Sequence, residues 1–196
     1  VELDKLSKVA GRRRVARGGV IVRAGDTTDS LYILLSGRAK VTNSDEEGRE
    51  IILAWLGPGE FFGEMGLIDS SPRSASVMAV EACELLNIGR DAFHRCMQDN
   101  FQVAQKLMQI LVLRLRDADR KIESLALLDV YGRVARLLLE MSVEEDGRRV
   151  VKKKMSKQDM ARMIGASREM VSKVMRDLEL SGYIVCEGDT ITIMGD

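Results

Sequence analysis

The sequence predicts an α+β chain in three consecutive parts: a sandwich of short strands, one long helix, and a smaller helical domain closed by a strand hairpin. Three observations predict it. Up to Ile88, short apolar runs alternate with turns rich in Gly, Asp and Ser, the pattern of a sandwich or jelly roll. From Phe101 the apolar residues recur in alternating steps of three and four, which is helical. After Arg148 a basic stretch with two short amphipathic segments precedes two β-branched runs.

The candidate strands are 20–22, 31–35, 39–41, 51–56, 76–80 and 83–88. All are rich in Val, Ile, Leu or Ala and suit a pleated, half-buried surface. Ala24-Gly25-Asp26, Ser36-Gly37, Asp45-Glu46-Glu47-Gly48 and Gly57-Pro58-Gly59 supply the turns between them.

The run from Gly57 to Val77 carries the most chemistry. Gly63 and Gly66 allow close backbone approach around a single helical turn, whose opening amides can donate to an anion. Arg73 offers a charged fork for a phosphate and Ser74 a hydroxyl, while Glu64 can accept from a ribose hydroxyl. A phosphate on one side and a sugar hydroxyl on the other describe a nucleotide. Gly63, Glu64, Met65, Arg73 and Ser74 are the candidate ligand-binding residues of this run. The plainer alternative is a glycine-rich turn with Glu64 and Arg73 as a structural ion pair.

Phe101, Ala104, Met108, Leu111, Leu115, Ala118, Ile122 and Leu125 form an a/d heptad seam, the pattern of a two-stranded coiled coil. A helix packed only on its own sandwich would show a wider apolar stripe. With Phe101 at position a, Arg114 falls at g and Asp119 at e, the spacing of an interhelical salt bridge in a parallel pair. Asp129 is the N-cap of a next helix that buries Val130, Val134, Leu137, Leu138 and Met141, so Leu127-Leu128-Asp129 reads as a hinge. Residues 144–149 read as a polar turn.

Residues 148–176 hold ten Lys or Arg against Asp159 and Glu169 alone, a local charge of +8 in a chain of net charge zero. Such a field suits a polyanion. Ser156 with Asp159 makes a capping-box-like start, Gly165 suits a left-handed turn, and Ser167 caps a second helix. On a 100° wheel that second helix sets Arg168, Glu169, Ser172, Lys173 and Arg176 on one side and Val171, Val174, Met175 and Leu178 on the other. One face can read base edges while the other seats the helix. Followed by a hairpin of Tyr183-Ile184-Val185-Cys186 and Thr190-Ile191-Thr192-Ile193 across Glu187-Gly188-Asp189, this is a winged helix-turn-helix.

Other classes have less support. At 45% apolar residues the chain can bury one large core or two small ones, and no apolar run approaches membrane-spanning length. Nothing resembles a secretory start, and opening on Val1 leads us to expect residues before it. Cys83, Cys96 and Cys186 lie far apart without metal-ligand or disulfide spacing. His94 is the single histidine, and no catalytic set accompanies it, so an enzyme is not expected.

The motifs Phe62-Gly63-Glu64-Met65-Gly66-Leu67, Arg73-Ser74-Ala75, Leu125 to Val130 with Gly132-Arg133, and Gly165-Ala166-Ser167-Arg168-Glu169 resemble the cyclic AMP receptor protein (CRP/FNR) family. The resemblance covers nearly the whole chain. It implies a cyclic-nucleotide-binding jelly roll over residues 1–98, a dimerisation helix and hinge over 99–128, and a winged helix-turn-helix over 129–196. It implies that Glu64 holds the ribose 2′-hydroxyl and that Arg73 and Ser74 hold the cyclic phosphate. Arg168, Glu169 and Lys173 would read bases, with Arg168 suited to guanine and Glu169 to cytosine. Ser156, Lys157 and Gln158 would contact phosphates, and Ser167 completes the DNA-binding set. The implied effector is cyclic AMP without a metal. The implied partners are a second copy of the chain, a pseudopalindromic double-stranded site and RNA polymerase, in the cytoplasm and without a membrane.

Two positions depart from the family pattern. Lys173 replaces a second arginine and gives up its bidentate fork. Ala118-Asp119 stands where relatives often place Thr-Ser against the adenine. Asp119 then suits either the adenine amino group or Arg114 of the partner subunit. Cyclic di-GMP is the alternative effector, and a cyclic-nucleotide module without DNA binding is the alternative function.

Overall fold

The computed structural model describes residues 11–27, 29–152 and 155–194. The chain divides into two compact units, Val1–Val112 and Leu113–Asp196.

The first unit is a sandwich of two antiparallel four-stranded sheets. One has the order β1-β8-β3-β6, with β1 Gly11–Val15, β3 Ser30–Ser36, β6 Phe61–Phe62 and β8 Cys83–Gly89. The other has the order β2-β7-β4-β5, with β2 Val20–Val22, β4 Ala39–Ser44, β5 Glu50–Leu56 and β7 Ser76–Ala79. A single cluster containing Ile21, Leu34, Ala39, Leu56, Phe62, Val77 and Leu85 joins them. Side chains alternate faces along a strand, so β3 and β8 bury a second set behind the first. Leu31, Leu86 and Ile88 pack there with Leu67, with Phe93 of helix Arg90–Asp99, and with Leu107. Burial on both faces explains why these strands read as continuous apolar runs.

Four short helices and one long one follow from the sequence pattern; β1 and β6 do not. Strand β1 is Gly-Arg-Arg-Arg-Val with its arginines exposed, a charged edge strand with no apolar signal to announce it. Helix α1, Met65–Ile68, is the single turn expected after Glu64, and α2 is Arg90–Asp99. Helix α3 runs from Phe101 to Leu127. Along it Leu107 is buried and Leu111 partly so, whereas Met108, Leu115, Ile122 and Leu125 are exposed apolar side chains on the expected seam.

In the second unit α4, Val130–Met141, is capped as expected: Asp129 Oδ1 accepts from the Gly132 amide at 2.8 Å. Helices α5, Lys157–Ile164, and α6, Arg168–Leu180, follow, and a sheet of order β11-β12-β10-β9 closes the unit. The expected wing is β11 Ile184–Glu187 with β12 Thr190–Ile193. The reading of 144–149 as a bare polar turn needs correction. Val143–Glu145 and Arg148–Val151 are strands β9 and β10, joined at Asp146-Gly147 with φ of 50° and 73°. Two successive positive φ values make the primed turn that Asp-Gly favours, and Val151 anchors β10 in the core. Lys153 and Lys154 of the basic segment lie outside the described residues.

Candidate functional site

The first unit gathers its candidate residues at the loop after β6. Strand β6 pairs with β3 in the register Tyr32↔Phe62 and Ile33↔Phe61, which delivers Gly63 and Glu64 to the end of β3. Arg73 returns from the following loop: its amide donates to the Asp26 carbonyl at 2.9 Å, and its carbonyl accepts from Gly25 at 2.8 Å. Its guanidinium donates through Nη1 to the Gly63 carbonyl at 2.9 Å and through Nη2 to the Ser30 carbonyl at 2.7 Å. Arginine has five N–H donors, so these two bonds leave others for an anion.

Glu64 and Arg73 are both buried, an unusual condition for charged side chains. Burial pulls the Arg73 guanidinium below its ordinary pKa, and Tyr32, Asp29, Asp26 and Glu64 oppose that shift electrostatically. The site is therefore a desolvated cation with carboxylates nearby. Gly63 has φ of 86°, and a Cβ there would collide with Arg73 Nη1. Glycine is needed twice over, for conformation and for space.

The Glu64 carbonyl accepts from the Leu67 and Ile68 amides, and buried Gly66 and Leu67 seat the α1 turn. Met65 is exposed, and its sulfur accepts from Ser74 Oγ at 3.7 Å. The structure thus brings Gly63, Glu64, Met65, Arg73 and Ser74 together. Asp119 is exposed on α3 within the second unit. Three neighbours were not foreseen: Ser30, Tyr32 and Arg13. The Tyr32 ring lies under both guanidiniums, with the Arg73 Cζ 5.8 Å and the Arg13 Cζ 5.9 Å from its centroid. Only the pairing of distant strands reveals these residues.

In the second unit the N-caps anchor the helix-turn-helix. Ser156 Oγ accepts from the Asp159 amide at 3.0 Å and donates to Asp159 Oδ2 at 2.8 Å. Ser156, Lys157 and Gln158 are all exposed at this turn. Gly165 adopts the left-handed conformation, φ 62° and ψ 47°, and Ser167 Oγ accepts from the Met170 amide at 3.2 Å. Arg133 of α4 donates from Nη1 to the Ile164 carbonyl at 2.7 Å, which satisfies an otherwise orphaned carbonyl at the end of α5.

Helix α6 is two-faced as the wheel predicts. Val171, Val174, Met175 and Leu178 sit in the core, while Arg168, Glu169, Ser172, Lys173 and Arg176 line one shallow concavity. Among the described residues, no group of three or more His, Cys, Asp or Glu is arranged to hold a metal ion, and no helix is long and apolar enough to cross a membrane.

Comparison with known proteins decides the family. Residues 12–100 match the cyclic nucleotide-binding domain family, and residues 132–194 match the Crp-like helix-turn-helix domain family. The cAMP-activated global transcriptional regulator Vfr of Pseudomonas aeruginosa is 36% identical over 98% of this chain and 94% of its own length. The chain belongs to the CRP/FNR family.

The CRP regulator of Haemophilus influenzae is 35% identical over 89% of this chain and 80% of its own. The solved structure of the c-di-GMP responsive regulator CLP of Xanthomonas campestris superimposes with a TM-score of 0.84 at 30% identity. It covers 100% of this chain and 99% of that one. This CRP/FNR member is a ligand-responsive, DNA-binding transcription regulator, with a cyclic nucleotide as the effector class.

Gly63→Ala is expected to displace the Arg73 guanidinium and to lower stability by about 1–3 kcal/mol through the strained φ. Urea unfolding and cyclic-nucleotide titration of the same variant check both effects. Unchanged stability with unchanged binding would show that Arg73 does not depend on the glycine.

Proposed function

We propose that this regulator is switched by 3′,5′-cyclic AMP, one molecule per subunit. Buried Arg73 beside Glu64 and Gly63 carries the reading, because one cation and one carboxylate suit one phosphate and one ribose. Arg73 and Ser74 then hold the cyclic phosphate, Glu64 the 2′-hydroxyl, and Gly63 and Met65 complete the wall. Relatives described as cAMP-activated support adenine, and the Xanthomonas regulator makes cyclic di-GMP the competing effector. Asp119 retains its two roles, acceptor for the adenine amino group or ion-pair partner across a dimer. In a calorimetric titration of nucleotide-stripped protein, cyclic AMP should bind at micromolar concentration and cyclic di-GMP should not. Arg73→Leu should weaken that binding strongly. Cyclic di-GMP binding with cyclic AMP silent reverses the effector assignment.

The functional parts we assign are the effector domain over 1–98, the dimerisation helix and hinge over 99–128, and the DNA-binding domain over 129–196. The exposed apolar side chains Leu115, Ile122 and Leu125 support a parallel homodimer along α3. Replacing Leu115 and Ile122 together by Glu should yield monomers in sedimentation. A dimer that survives the double change removes α3 from the interface.

Two-fold symmetry then calls for a pseudopalindromic site with half-sites about one helical turn apart. Arg168, Glu169 and Lys173 read bases, while Ser156, Lys157, Gln158 and Ser167 position the phosphates. RNA polymerase is the further partner, the cytoplasm is the place of action, and we assign no catalysis to the chain. Arg168→Ala should relax base preference in the half-site. Lys157→Ala should weaken all sequences alike and reduce the salt slope by about one. A selection in which both variants keep the parent's base preferences excludes Arg168 from the reading surface.

A further inference from the structure

The buried guanidinium of Arg73 is held by more than its two carbonyl partners. Tyr32 occupies a buried position of β3 among Leu31, Ile33 and Leu34, where an aliphatic side chain would fill the strand's inner face. Its ring stacks on Phe62, centroids 5.4 Å apart and planes 18° from parallel, so the ring is fixed by the residue that precedes Gly63. The Arg73 Cζ lies over that ring at 5.8 Å from the centroid, within cation–π range. Ser30, on the same strand, supplies the carbonyl that takes Nη2. The Arg13 Cζ lies over the ring as well, with Arg13 Nη1 donating to the Ile21 carbonyl at 2.9 Å.

We propose that Tyr32 is a positioning residue for effector binding: its ring face fixes the Arg73 guanidinium where an anionic phosphate is received. The proposal rests on the effector-site reading above. Two carbonyl bonds by themselves hold Nη1 and Nη2 but leave the plane of the guanidinium free to tilt about the line joining them. The ring removes that freedom, and it does so without using a donor that the phosphate needs. Its quadrupole also offsets part of the desolvation that burial imposes on the cation. A carboxylate in this place would hold Arg73 more tightly but would neutralise it against an incoming anion. An aromatic ring avoids that competition. Arg13, exposed and tied to β2, bears on the other requirement, the orientation of the ring itself.

The test separates the ring's electrons from its bulk. Tyr32 is replaced by Phe, by trifluorophenylalanine and by Leu, and cyclic AMP and cyclic di-GMP are titrated into each stripped protein. The nucleotide that binds the wild type serves as the probe, and ligand-free melting temperatures are recorded for every variant. Tyr32→Phe should bind within about twofold of wild type, the fluorinated ring about tenfold more weakly, and Tyr32→Leu about thirtyfold more weakly. Fluorination withdraws the ring's charge at nearly constant shape, so a packing role predicts equal affinity for the Phe and fluorinated variants. That equality, with melting temperatures also matched, overturns the proposal. A wild-type protein that binds neither nucleotide removes the effector-site reading itself, and the inference with it.

Discussion

Arg73 is a charge taken out of water, and the first unit is arranged around the requirement that such a charge be given partners. Strand β3 supplies the Ser30 carbonyl and the Tyr32 ring, β6 supplies Phe62 and leads to the Gly63 carbonyl, and the 24–26 turn clamps the Arg73 backbone from both sides. Segments far apart in sequence converge on one guanidinium. Both Nη bonds go to backbone carbonyls, and the carboxylates of Asp29, Asp26 and Glu64 act on the cation electrostatically. A phosphate that reaches it meets a preorganised donor, and little ordering remains to be done at the moment of binding.

The second unit solves the opposite problem. It must hold cations on the surface, facing outward, on a helix rigid enough to enter a groove. Core side chains Val171, Val174, Met175 and Leu178 fix α6 from behind, and Ser167 fixes its start. Arg133 ties α4 to the end of α5 through the Ile164 carbonyl, next to the left-handed Gly165 that sets the turn. A neutral chain thereby presents a strongly basic surface. Affinity for DNA of this kind depends on where the charges are and not on their sum.

Much of this was legible because the responsible signals are local. Asp129, Ser156 and Ser167 cap helices within three residues of themselves, and Gly165 announces its turn by being glycine. The period of two in the strands and the polar and apolar sides of α6 are likewise properties of short windows. What escaped was set by pairing at a distance. Strand β1 has no apolar face of its own and exists because it pairs with β8. The β9–β10 hairpin hid in a charged segment, although Asp146-Gly147 was the turn signal and Val150 and Val151 the strand beyond it. At the candidate site, Gly63, Glu64 and Arg73 stand out in one motif, but Tyr32 and Ser30 reach Arg73 only through the β3–β6 pairing. A tyrosine in an apolar strand looks like any core aromatic until the fold brings a guanidinium over it.

On the proposed effector assignment, occupancy of the Arg73 site governs the DNA affinity of the α6 surface. A ligand can shift such an equilibrium only by as much as its affinities for the two states differ. The direct measurement is DNA retardation on a pseudopalindromic fragment, with and without saturating cyclic nucleotide, for the wild type and Arg73→Leu side by side. Saturating nucleotide should change wild-type DNA affinity by about tenfold or more, within the usual range of coupling energies. Arg73→Leu should hold the nucleotide-free affinity whatever is added. A wild-type affinity indifferent to bound nucleotide, or an Arg73→Leu protein that still responds, would contradict it.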